Sequence, residues 1–263
     1  MLKVVLMGKA KNNKPLILHR VTISKKRFDS IPEPERLLFI RFGHLIFELN
    51  TLLRVFLWSS SFENLQKEEI NARMAQGVVI ARVLIGKIYE AYVLIKNRYN
   101  REMAKKYNPL LNDAALEALS HLKRYFTNSN LINTVRKKYA FHYSHDELAK
   151  ILMQIPPEDN LVFYLSQDSR NCFFSSADKI VSNAMLEAIE PGHPDKAQER
   201  LEKETIAISK SLRIFLQCFM DTVMMKYLGK NLEEMGAIEI RIPKPPKDTE
   251  IELPYFLYFE ESR

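Results

Sequence analysis

Apolar residues recur every three or four positions from Arg36 to about Trp58: Leu38, Ile40, Phe42, Leu45, Ile46, Leu49, Leu52, Leu53, Phe56 and Leu57. They cover more than one face, which predicts a largely buried helix. Ser30 to Glu35 supplies a helix start, with a capping serine, early prolines and acids in the first turn. Ser59-Ser60-Ser61 breaks the run. A second helical repeat then extends from Asn64 to about Asn100 through Ile70, Met74, Val78, Ala81, Ile85, Ile88, Ala91 and Leu94. The short connection predicts that these two helices pack antiparallel.

Tyr107-Asn108-Pro109 ends or kinks the second helix. Asp113 is the expected cap of a helix reaching Phe126, and a turn cluster, Thr127 to Asn130, precedes a short helix from Leu131 to Tyr143. Ser144 or Asp146 caps the next helix, with Glu147 at capping-box spacing from Ser144. Further helices are expected over Ala177–Ile189 and from Asp195 to about Leu228.

Short apolar runs without helical period predict strands. Asn160–Leu165 and Asn171–Phe174 flank a polar turn and read as a hairpin, and LKVVLMG and PLILHRVTI near the N-terminus read as a hairpin or edge pair. Ile238, Ile240 and Ile242 alternate weakly in a tail that ends in an apolar aromatic strip. Such a tail is expected to strap onto its own or a partner's surface. The expected fold is mostly α, a helical bundle with a small β-hairpin element. Its segments are a basic arm or short strands over 1–30, the bundle over 31–155, a hairpin with helices packing on it over 156–235, and an extended tail over 236–263.

Composition narrows the class. The 263 residues are 46% hydrophobic and 27% charged, ordinary for a globular protein, while only 7 glycines suit long helices with few tight turns. No stretch of 18 residues lacks a charge, so no membrane span is expected, and the N-terminal apolar run is too short for a secretory signal. Cys172 and Cys218 form no metal-ligand pattern and read as two buried thiols of a cytoplasmic protein. The net charge of +7 is uneven: residues 1–30 hold eight Lys or Arg and one Asp, and residues 96–143 hold ten Lys or Arg and three acids. Two basic stretches in a balanced chain suit a surface that faces a polyanion or a solvated charged face.

The densest chemistry lies at Thr134–Ser144, TVRKKYAFHYS. Arg136 and His142 are separated by five residues, preceded by Leu131-Ile132-Asn133-Thr134-Val135 and embedded in Ala-Phe-His-Tyr. This pattern resembles the signature of HEPN domains, an Arg followed after four to six residues by a His, as found in bacterial abortive-infection and toxin–antitoxin proteins. The resemblance covers about residues 33–155. It implies a helical bundle, a homodimer with a shared site, RNA as the partner and a cognate antitoxin protein as a further one. It also implies metal-independent RNA cleavage through attack by the 2′-hydroxyl, with Arg136 and His142 catalytic. One position departs from the pattern: Lys137 stands where the family commonly has Asn, Asp or His. Lysine donates hydrogen bonds but accepts none.

The chemistry stands apart from the family. Histidine titrates near neutrality and suits proton transfer, and the planar arginine fork grips two phosphate oxygens. Lys137, Lys138, Tyr143 and Asn133 are the expected RNA-binding residues, with the lysines attracting the backbone and Tyr143 stacking on a base. On an ideal helix Arg136 and His142 point about 120° apart, so both reach one phosphate only if the long Arg sweeps round, the helix bends or a second copy completes the cleft. His142 and His145 have no third ligand at readable spacing, so neither metal nor cofactor is expected. Two other readings stay open: a catalytically inactive module that binds RNA or protein, and a purely structural helical dimer. In the structural reading, Arg136 pairs with a carboxylate of the long helix such as Glu90.

Overall fold

Two carboxylates, Glu33 and Glu35, open helix α2 (Glu33–Ser59), which follows a single-turn helix α1 (Lys25–Asp29). A helix N-terminus favours negative charge. The structure, a computed structural model, describes residues 15–59, 65–140 and 145–258. Helix α2 buries one stripe, Glu35, Leu38, Phe42, Leu45 and Leu49, at steps of three and four. Its expected burial on more than one face does not hold, because Leu37, Ile40 and Phe47 are exposed.

Helix α3 (Lys67–Leu94) packs along α2 and runs on as a π-helical segment, Ile95–Met103, and a short helix α4 (Ala104–Tyr107). Ile95, Tyr99, Met103 and Tyr107 are all buried at four-residue intervals. In an α-helix that spacing drifts about 40° per step. The wider i→i+5 winding offsets the drift and holds these side chains toward the core. The hydroxyl of Tyr99 donates to Asn108 Oδ1 at 2.7 Å, and Pro109 lies in the 3₁₀ turn that ends the run.

Helix α5 (Asp113–Thr127) is capped one residue earlier than expected, since the Asn112 side chain accepts from the Ala115 amide at 2.9 Å. Asp113 instead supplies the first-turn acid. Helix α6 (Leu131–Val135) passes directly into a second π-helical segment, Arg136–Ala140, and α7 (His145–Gln154) follows. Helix α8 (Ser175–Ile189) leads to α9 (Pro194–Tyr227), which packs against both α2 and α5. Leu212, Phe215, Leu216, Phe219 and Val223 of α9 are fully buried, and Phe42 meets Phe219 at a ring separation of 5.1 Å. One core cluster runs from Ile31 to Val223, so the N-terminal helices and α9 share their apolar interior. Gly229, just past α9, has φ +146°, and a Cβ there would stand 2.9 Å from Glu234 Cβ. Only glycine adopts that conformation without strain.

The fold is mostly α with one small antiparallel sheet. Strand β1 (Leu16–Arg20) pairs with β2 (Ile238–Ile242), Leu18 opposite Ile240, so the two ends of the chain meet. The LKVVLMG segment lies outside the described residues. Leu161–Phe174 contributes a single antiparallel bridge, Tyr164 to Phe173. Val162 is drawn elsewhere: its amide donates to Ser176 Oγ and its carbonyl accepts from the Ser176 amide, in the first turn of α8. The two cysteines, expected buried, are free and only half-buried.

The tail straps onto its own chain. The Leu253 amide donates to the Trp58 carbonyl, Glu252 pairs with the buried Arg73 at 3.1 Å, and the Tyr255 hydroxyl donates to the Cys172 carbonyl at 2.9 Å. Tyr255 and Phe256 cover a second apolar cluster of Ala72, Ala75 and Phe173. Among the described residues, no helix is long and apolar enough to cross a membrane.

Candidate functional site

Asn130 sets the position of the motif. Its side chain caps α6 by accepting from the Asn133 amide at 2.8 Å. Leu131, Ile132, Val135 and Tyr139 then turn inward and are fully or almost fully buried. The Tyr139 hydroxyl donates to the Ala184 carbonyl at 2.8 Å, tying the motif to α8. That ring is therefore core and is not available to stack on a base.

Arg136 lies on the flank next to α3, with its side chain 33% exposed. Its Nη2 donates to Glu90 Oε1 at 2.9 Å, and its guanidinium carbon sits 4.9 Å from the centroid of the Tyr89 ring. One carboxylate and one π-face thus fix the fork. Its Nε is buried and finds no hydrogen-bond partner among the described residues. The pairing with Glu90 is the one the structural reading expects.

Asn133 stands one turn before Arg136, half-buried, and its Oδ1 likewise lacks a partner among the described residues. Lys137 is exposed. Lys138 is half-buried and turns the other way, into a cleft of about 340 Å³. Lys150, Ile151 and Gln154 of α7, with Glu187 and Ala188 of α8, line the same cleft. The Glu187 carboxylate also accepts from the Gly192 amide at 3.0 Å, which holds the α8–α9 loop against the cleft. His142 and Tyr143 lie outside the described residues.

The motif residues therefore do not form one face. Arg136 addresses α3 while Lys138 addresses α7 and α8. The winding over Arg136–Ala140 is π-helical, which departs from the ideal α-helix used to relate these positions in the sequence. Tyr89, Lys150 and Gln154 belong to no motif along the chain. Lys150 and Gln154 are four residues apart on α7, so a helical-wheel reading places them together, but nothing local points them at Lys138.

Among the described residues, no group of three or more His, Cys, Asp or Glu side chains could hold a metal ion. No family model, no curated protein and no solved structure matches this chain.

Proposed function

We propose that this chain is a HEPN-like, metal-independent ribonuclease of a defence or toxin–antitoxin type system, acting in the cytoplasm as a homodimer. The observation that carries the reading is Arg136, its side chain 33% exposed and held between the Tyr89 ring and Glu90. A fork held this way presents charge to an incoming phosphodiester without the entropy cost of ordering a free arginine. In this reading Arg136 binds the scissile phosphate and His142 transfers the proton. Lys137, Lys138, Asn133 and Tyr143 hold the RNA strand. Arg136 would supply about 2.7–4 kcal/mol of transition-state stabilisation, by analogy with one oxyanion donor.

The test is incubation of the full chain with RNA in the presence of a chelator, beside Arg136→Ala and His142→Ala. Cleavage that disappears in both variants is expected. Cleavage that survives both unchanged ends the mechanism.

One observation favours a second reading. Glu90 already neutralises the guanidinium, and Lys137 replaces the family's usual polar residue. In a silent module of this kind RNA is bound, with affinity falling steeply as salt rises, but never cut.

A further inference from the structure

Glu35 is the least exposed acid among the described residues, with its side chain 4% exposed. It sits in the first turn of α2, and two further elements, α4 and α9, converge on it. Lys106 and Tyr107 of α4 donate to its two carboxylate oxygens, and the Tyr227 hydroxyl at the end of α9 donates to Oε2 at 2.7 Å. Lys226 approaches Oε2 at 3.8 Å, beyond hydrogen-bond reach. Its ammonium rests over the Tyr107 and Tyr227 rings, 5.0 Å from each centroid.

The charges do not balance. Two ammoniums share one carboxylate, leaving an excess of one positive charge at a partly desolvated place. Burial and the neighbouring Lys106 ammonium push the Lys226 amine down, with Glu35 opposing them. Both lysines still reach solvent, at 46% and 30% side-chain exposure. Exposed Arg27 donates to the Leu228 carbonyl just past α9, closing the negative end of that helix.

We propose that Lys106 and Lys226, set over Glu35, form a binding site for a phosphate-type oxyanion. Each lysine carries three donors, and a tetrahedral anion accepts from both ammoniums at once. Its charge cancels the excess and relieves the repulsion between the two amines. The Tyr107 and Tyr227 rings form an apolar floor that keeps Lys226 extended toward the anion. The site is built from α2, α4 and α9 and stands apart from the motif at Arg136.

The experiment uses the full chain with lysine side chains labelled with carbon-13, titrated with inorganic phosphate and, separately, with a single-stranded RNA oligonucleotide. Saturable shifts of the Lys106 and Lys226 Cε resonances are expected with phosphate, and none with chloride at matched ionic strength. Lys106→Met and Lys226→Met should each weaken phosphate affinity about tenfold, the loss of one charge-assisted hydrogen bond. RNA that moves the same resonances and is displaced by phosphate assigns the site to a phosphodiester; RNA that leaves them still assigns it to free phosphate. Stationary wild-type resonances, shifts that chloride reproduces, or wild-type phosphate affinity in both methionine variants would overturn the proposal.

Discussion

Arg136 and Glu90 join the motif to the long helix α3 through a 2.9 Å ion pair laid against the Tyr89 ring. The pair is partly exposed on both sides, so its contribution to stability is small, about 0–1 kcal/mol. Its weight falls on binding, because a phosphate must compete with Glu90 for the same fork. Glu90→Gln is expected to tighten RNA binding about tenfold and to leave the urea midpoint nearly unchanged. Fluorescence anisotropy with labelled RNA checks the first and equilibrium unfolding the second. Unchanged affinity would show that Arg136 does not meet the RNA backbone.

Tyr139 illustrates the opposite case, a motif residue held for packing. Its ring is 2% exposed and its hydroxyl donates to the Ala184 carbonyl. Tyr139→Phe removes one hydrogen bond to a carbonyl that lies within α8, a cost of about 0.5–1.5 kcal/mol. Denaturant unfolding should show this loss while RNA affinity stays the same. A selective loss of RNA affinity at unchanged stability would instead place Tyr139 at the binding surface.

Glu35 couples stability to acid pH. Burial pushes its carboxyl up, but hydrogen bonds from Lys106, Tyr107 and Tyr227 and the charge of Lys226 outweigh this and hold it below the ordinary range. A carboxyl depressed in the folded state contributes stability that is present above its unfolded value, about 4.3, and lost as pH falls through the folded one. The urea midpoint of the wild type should therefore drop on acidification below about pH 4.3 by more than that of Glu35→Gln. At neutral pH the variant should be the less stable protein. Parallel acid profiles for the two proteins would count against the network.

The strap at residues 251–258 covers apolar surface and a buried arginine. The Arg73 side chain is only 6% exposed beneath Glu252. Tyr255→Ala removes a ring that packs 5.5 Å from Phe173 and a hydroxyl that donates to the Cys172 carbonyl. The expected cost is about 3–5 kcal/mol if the site cannot collapse, with earlier proteolysis of the 160–174 loop. Limited proteolysis with mass spectrometry locates the first cut. Cleavage that begins elsewhere, at wild-type rate, would mean that the strap does not hold this loop.

Much of the helical layout was legible along the chain. The three-and-four stripe from Leu38 to Leu49 and the buried run from Ile208 to Val223 mark their helices because such periodicity belongs to neighbours in sequence. Even Glu35 left a trace: it is an acid on the same stripe as Leu38 and Phe42, a place where a carboxylate must find partners. The sequence by itself also determined the charged, aromatic character of the Arg136 segment.

Only the tertiary structure decided what these residues meet. It paired Leu16–Arg20 with Ile238–Ile242, from opposite ends of the chain, and turned Val162 to Ser176 in place of a hairpin partner. It aimed Arg136 at Glu90, set Lys138 and Lys150 on one cleft, and gathered Lys106, Tyr107, Lys226 and Tyr227 around Glu35. The reason is physical. A helical period follows from the backbone geometry of adjacent residues, whereas the partner of a buried charge depends on how separate helices pack, and no local pattern encodes that choice.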